Sequence, residues 1–207
     1  MKTVKKLLTK AKIAELLRTG NFMVRMDDGE GRGHNGFRWG GLGEWTTCPN
    51  WRPESYKNPP CDNGGLFGQS PKAAGYAHKG KRLALCETKG RQAVVDGNKI
   101  KVRKAMPLAY GMDIPTKLLN AIPGLSLDLR GTQITSLPEG LHVGGYLDLR
   151  GTQITSLPEG LHVGGYLDLE GTQITSLPEG LHVGGYLYLR GTQIKNIPAH
   201  LKKKVVR

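Results

Sequence analysis

The block Gly131-Thr132-Gln133-Ile134-Thr135-Ser136-Leu137-Pro138-Glu139-Gly140-Leu141-His142-Val143-Gly144-Gly145-Tyr146-Leu147 decides the fold of the second half of the chain, because it recurs unchanged from Gly151 and from Gly171. The period is 20 residues. A fixed period of roughly 20 to 50 residues marks a solenoid, in which one short unit cannot bury its apolar side alone and must stack on its neighbours. Within a unit, Leu147-Asp148-Leu149 alternates apolar and polar, the period of a strand. Copying that unit predicts four in-register ladders. They are Leu127, Leu147, Leu167, Leu187; Leu129, Leu149, Leu169, Leu189; Ile134, Ile154, Ile174, Ile194; and Leu137, Leu157, Leu177, Ile197. Each fully buried Leu or Ile contributes about 1.5 to 3 kcal/mol. An isolated coil has too few of them to offset the entropy lost by ordering its backbone.

The glycine pairs Gly144-Gly145, Gly164-Gly165 and Gly184-Gly185 fall where the coil must turn, and positive φ is the expected reason for them. Pro138, Pro158, Pro178 and Pro198 stiffen the opposite bend. The pattern Leu-x-Leu-x-x-Thr-x-Ile-Thr-x-Leu-Pro-x-x-Leu resembles the 20-residue leucine-rich repeats of bacterial effector proteins. That resemblance implies a short β-solenoid. Where those repeats carry Asn in the turn, this chain has Thr132, Thr152, Thr172 and Thr192, so a row of hydroxyls must satisfy the loop backbone instead.

Working outward, composition divides the chain near Gly111. Residues 1–113 carry 21 Lys+Arg against 10 Asp+Glu, whereas residues 114–207 carry 9 against 7, so most of the net charge of +13 is N-terminal. The expected organisation is α+β: a small, irregular, basic, Trp-containing domain at 1–113, followed by the leucine-rich-repeat-like solenoid at 114–207. A basic half suggests an anionic partner, nucleic acid first, although a solvated basic surface explains the same composition. No apolar run reaches the roughly 18 residues of a membrane span, and the start lacks a signal-peptide core. Three cysteines leave an odd thiol in any disulfide scheme, which fits a reducing compartment. The expected location is the cytoplasm of a bacterial host, with no membrane partner.

In the first half, residues 3–19 place Val4, Leu7, Leu8, Ala11, Ala14 and Leu17 at helical spacing, with Gly20 as the stop and Lys residues on the other face. The glycine-rich run from Asp27 to Glu44 is no phosphate loop. No Gly-Lys-Ser/Thr follows it, and Asp27, Asp28, Glu30 and Glu44 would repel phosphate, so a tightly turned segment is expected. Trp39, Trp45 and Trp51 are expected to form the core of the small domain. The competing reading is a stacking platform for single-stranded nucleic acid, helped by Arg38, Arg52 and Lys57. Strands are expected at Arg82–Glu87 and Ala93–Asp96, and then at Lys99–Met106, where Lys99, Lys101 and Arg103 would form a basic face able to follow a phosphate backbone.

Cys48, Cys61, His78 and Cys86 are zinc-ligand types, but no Cys-x-x-Cys pair occurs among them. Cys86 with His34 or His78 as base is a composition and not a geometry. No cofactor and no catalytic residue is therefore assigned, and a nucleotide- or nucleic-acid-modifying activity remains a third reading.

The order Gly-Phe-x-Trp (Gly36–Trp39), Pro-x-Trp-x-Pro (Pro49–Pro53), Cys-x-x-Gly-Gly-Leu-x-Gly (Cys61–Gly68) and Gly-x-Lys-x-Lys-Val (Gly97–Val102) resembles an uncharacterised domain of phage and bacterial proteins. The position that often holds His in that domain is Phe67 here. The resemblance implies a phage-encoded, non-enzymatic accessory protein that engages a host protein or nucleoprotein complex, for instance to inhibit a defence system such as CRISPR. It brings no activity with it. On the solenoid the expected partner face is the strand row of Asp128, Arg130, Asp148, Arg150, Asp168, Glu170, Tyr188 and Arg190. His142, His162 and His182 form a second outward row, with Tyr146, Tyr166 and Tyr186 expected near it, and copying one unit produces such rows automatically.

Overall fold

The computed structural model describes residues 7–32, 38–48, 66–72, 80–95 and 99–207. The first half is built on an antiparallel sheet of β1 (Phe22–Asp27), β4 (Arg82–Val95), β5 (Lys99–Tyr110) and β2 (Thr46–Thr47), with β3 (Leu66–Gly68) also paired to β5. Helix α1 (Lys10–Thr19) precedes it. Thr9 is extended and its hydroxyl accepts from Lys12 N, so it resets the helix at Lys10. Gly20, at φ 63°, closes it as expected. The inward face matches the expected stripe only in part. Leu7 and Leu8 pack on the core as expected, joined by Ile13 and Leu16, while Ala11, Ala14 and Leu17 are exposed. Lys12 is held against the domain by Glu87 on β4, at 2.9 Å.

All six residues of β1 are buried. Phe22, Val24 and Met26 join the larger core, and Met23 joins a second core with Trp39, Cys48, Ala84, Cys86, Ile100, Val102 and Ala105 on the opposite face. β4 is one continuous strand where two were expected, because an irregularity between Lys89 and Gln92 carries the pairing across Gly90, at φ 82°. Gly68 lies against β1; a Cβ there would sit 2.7 Å from Val24 O, which explains the last glycine of the Gly-Leu-x-Gly motif.

Helix α2 (Thr116–Asn120) buries Leu118 and Leu119 and opens the solenoid. Each 20-residue coil then contributes two short strands. The first set, β6 (Leu127–Asp128), β8 (Leu147–Asp148), β10 (Leu167–Asp168) and β12 (Leu187–Tyr188), stacks in parallel and ends on β13 (Val205–Val206). The second set is β7 (His142–Val143), β9 (His162–Val163) and β11 (His182–Val183). The ladders predicted from the repeat are the core, extended by Leu141, Leu161, Leu181, Leu201 and by Val143, Val163 and Val183. The apolar core runs without a break from Leu16 to Leu201.

The glycine pairs work differently from expectation. Gly164 and Gly184 do not need positive φ; a Cβ on either would lie 2.4 Å or 2.0 Å from the carbonyl oxygen of the glycine one coil earlier. Backbone contact between coils is what excludes a side chain. The left-handed positions are instead Gly131, Gly151, Gly171 and Gly191, at φ 65–71°, together with Gly140 and Gly160, at φ 64° and 69°. Each threonine hydroxyl satisfies the turn within its own coil: Thr132, Thr152, Thr172 and Thr192 donate to Leu129, Leu149, Leu169 and Leu189 O at 2.7–2.8 Å.

A stack of coils leaves open backbone groups at both ends, and here side chains meet them. At the leading end Gln69 Nε2 donates to Ser126 O (2.8 Å) and its Oε1 accepts from Ser126 N (2.9 Å), as a neighbouring strand would. Asn120 treats the second sheet alike, accepting from His142 N and donating to Gly140 O. At the trailing end Leu181 O contacts His200 Nε2 at 2.9 Å, and Val183 O accepts from Lys204 Nζ. Val205-Val206 and Lys204 thus cap the last coil.

Candidate functional site

The outer face of the long solenoid sheet is set by alternation. In Tyr146-Leu147-Asp148-Leu149-Arg150 the leucines point inward, so Tyr, Asp and Arg of each coil share the outer face. The aspartates do not stand out into water. Their side chains are only 7%, 3% and 9% exposed at Asp128, Asp148 and Asp168, because arginines lie across them. Arg130 bridges Asp128 (2.6 Å) and Asp148 (3.2 Å), and Arg150 bridges Asp148 (2.6 Å) and Asp168 (3.0 Å). Stacked carboxylates one strand apart are thereby separated by cations. The pairs hold both guanidiniums above their ordinary pKa, with the hydrogen bond to the carboxylate of the same coil as the largest cause.

The lattice stops in the third coil. Glu170 stands where Arg130 and Arg150 stand before it, and among the described residues no cation lies within 4 Å of its carboxylate. Asp168 keeps Arg150 on one side only; its pKa is raised, by burial first, with Asp148 and Glu170 adding to the shift. In the fourth coil Tyr188 replaces the aspartate, and Arg190 is exposed with no carboxylate in salt-bridge range among the described residues.

What takes over is an aromatic row. Tyr146 and Tyr166 stack at 4.8 Å with ring planes 3° apart, Tyr166 meets Tyr188 edge to face at 6.0 Å, and Tyr186 lies 6.3 Å from Tyr188. Tyr186 is 61% exposed, and Val206, paired with Tyr188 across β12 and β13, is 37% exposed. Burial pushes the Tyr146 phenol up to about 12, with Tyr166 the next contributor. Tyr146, Tyr166 and Tyr186 therefore join Tyr188 on the Asp-Arg face and do not lie with the histidine row, where those three were expected. Their period-two spacing from the aspartates was the signal that identifies them. Val206 carried no such signal.

No family model, curated protein or solved structure matches this chain. Its function is therefore read from geometry.

The histidines line the second sheet, with ring centroids 5.4 Å apart for His142 and His162 and 4.2 Å apart for His162 and His182. Burial, and then the neighbouring His182 and His142, lower the pKa of His162. Among the described residues no group of three His, Cys, Asp or Glu could hold a metal ion. Cys48 and Cys86 are buried, and burial pushes the Cys86 thiol up to about 12, which leaves it protonated and a poor nucleophile at neutral pH. His34, Cys61 and His78 lie outside the described residues.

The expected basic face of the first half is not assembled as drawn. Arg38 and Arg103 are exposed, but Lys101 is fully buried, since β5 is flanked there by both β4 and β3. Lys99 opens β5, and Arg52 and Lys57 lie outside the described residues. Trp39 is buried beneath the Arg25 guanidinium, 3.6 Å from its ring centroid, whereas Trp45 is 41% exposed and is no part of the core. Trp51 lies outside the described residues. Among those that are described, no helix is long and apolar enough to cross a membrane. In the turn after β1, Asp27 and Asp28 accept backbone N–H groups of Gly29, Glu30 and Arg32, the tight turn expected of the glycine-rich run.

Proposed function

We propose that the chain is a non-enzymatic binding protein that engages a protein partner through the trailing half of the solenoid strand face. The observation that carries this reading is the change of character along that face. Arg130 and Arg150 are committed to buried aspartates, while Tyr186, Tyr188, Arg190 and Val206 are presented to solvent beside an unneutralised Glu170. Tyrosine and arginine concentrate binding energy at interfaces: tyrosine brings large contact area with few rotatable bonds, and arginine brings a planar fork of hydrogen-bond donors. Partner contacts at Arg130 and Arg150 would first have to break ion pairs. The wider row from Asp128 to Arg150 thus serves as a rigid support, and the contact zone is Tyr166, Glu170, Tyr186, Tyr188, Arg190 and Val206.

A bacterial host protein is the partner class that the N-terminal resemblance implies. The test is affinity capture from nuclease-treated bacterial lysate with the full chain, comparing wild type, Tyr186→Ala/Tyr188→Ala and Arg130→Gln. A partner retained by wild type and Arg130→Gln but lost with the tyrosine pair supports the reading. Retention by the tyrosine variant sinks it.

A further inference from the structure

On the other half of the molecule a second surface has chemistry that the solenoid reading does not use. Strands β4 and β5 place Lys89 directly opposite Lys104, and Thr47 of β2 pairs with Lys104 on the other side. Like charges directly opposite in an antiparallel pair destabilise it. Among the described residues neither lysine has a carboxylate within salt-bridge range. The nearby Glu87, opposite Met106, is already engaged by Lys12 at 2.9 Å. Glu44, beside Trp45 in sequence, is turned back to accept from Gly41 N at 2.9 Å.

Next to this lysine pair stands Trp45, 41% exposed, with the Lys89 ammonium 5.9 Å from its ring centroid. That distance is the outer limit of a cation–π contact, so the ammonium covers the ring loosely. An exposed indole beside an uncompensated pair of cations is the combination that single-stranded nucleic acid requires: a flat apolar face for an unstacked base and adjacent positive charges for its phosphates.

We infer that Trp45, Lys89 and Lys104 form a contact site for single-stranded nucleic acid, with a base on the Trp45 ring and flanking phosphates on the two lysines. A duplex fits less well because its base faces are already stacked. Thr47, exposed in the same cross-strand row, adds a hydroxyl donor. The site involves none of the solenoid residues and stands or falls separately from the partner face.

The experiment is fluorescence anisotropy of the full chain with labelled oligo(dT) and oligo(U) of about 15 nucleotides, the upper range of a single site. A duplex of equal length and polyglutamate serve as competitors, over a salt series. Trp45→Ala is expected to weaken single-strand binding about 5- to 150-fold. Lys89→Gln/Lys104→Gln is expected to reduce the slope of log K against log salt by about 1.4, two phosphates at about 0.7 each. Since Lys104→Gln also removes a repulsion, the ligand-free protein should unfold at equal or higher urea concentration, which separates lost binding from lost folding. The inference is overturned by no single-strand binding, by binding that both variants leave unchanged, or by duplex or polyglutamate competing as well as the single strands do.

Discussion

Replacing Gly164 by alanine tests the stacking of the coils most directly. A Cβ at that position would lie 2.4 Å from Gly144 O and 3.1 Å from Gly144 C, both backbone atoms. Neither can move alone, because Gly164 N donates to Val143 O at 2.8 Å and Gly165 N donates to Gly145 O at 2.7 Å. The coils must part to admit one methyl group. Overpacking of this kind costs about 2 kcal/mol or more, which for a chain of this length lowers Tm by about 4 to 8 °C. Two glycines of the same repeat serve as internal controls. Gly160, at φ 69°, has nothing within 4 Å of a built Cβ, so alanine there incurs only the left-handed backbone cost of about 1 to 2 kcal/mol. Gly180 is not left-handed, and a Cβ there meets the tip of the Glu159 side chain at 3.4 Å and Gly160 N at 3.5 Å, both ordinary contacts, so alanine should be neutral or stabilise by about 0.4 to 1 kcal/mol. Urea unfolding followed by circular dichroism should order the midpoints as Gly180→Ala, then Gly160→Ala, then Gly164→Ala lowest. A Gly164→Ala protein with the wild-type midpoint would show that the coils are not in backbone contact.

Asp148→Asn removes a carboxylate that binds two arginines, and after discounting for the 34% and 39% exposed guanidiniums it should cost about 1 to 2 kcal/mol in urea unfolding. Asp168→Asn, which loses only the Arg150 contact and relieves repulsion from Glu170, should cost less; the reverse order would refute the lattice. The lowered pKa of His162 means that the unfolded chain binds the proton more readily, so stability is complete above about 6.5 and falls as pH drops through that value toward the lowered one. His162→Asn should flatten that fall between pH 7.5 and 5, measured as the difference in urea midpoint from wild type. Lys204→Met leaves the carbonyls of Val183 and Gly184 without their side-chain donor, and should cost about 1 to 3 kcal/mol, with faster amide hydrogen exchange confined to the last coil.

The repeat was legible because identity at a spacing of 20 residues puts like side chains in register, whatever the details of the turn. Leu147 finds Leu127 and Leu167 in this way, and Tyr146 finds Tyr166. The reason for the glycine pairs was not legible, since nothing within one unit tells how closely the next backbone approaches. Lys101 was misplaced for a related reason: alternation separates two faces of a strand, but only the partners on each side, here β3 and β4, decide whether a face meets water. Beyond Leu8 the helix face was lost to phase. Its expected stripe began at Val4, whereas Thr9 starts the helix afresh, and Ile13 and Leu16 then fall inward. In the partner face, each aspartate's position was readable but its burial was not, because burial comes from arginines of its own or the preceding coil lying across it.

Copying one unit also explains why the departures from identity carry the functional argument. An unbroken row of Asp and Arg neutralises itself and offers a partner little that is not already bonded. Changing Arg to Glu at position 170 and Asp to Tyr at position 188 ends the lattice while leaving every inward leucine and glycine in place, so the fold is indifferent to both. The caps are equally indifferent to the number of coils between them, because the side chains of Gln69 and Asn120 hydrogen-bond to the first coil and those of His200 and Lys204 to the last. Length can therefore vary by whole units without moving Tyr186, Tyr188, Arg190 and Val206 relative to the trailing cap. A contact zone placed at that end keeps its geometry through duplication of the units behind it, which a zone spread along the whole lattice would not.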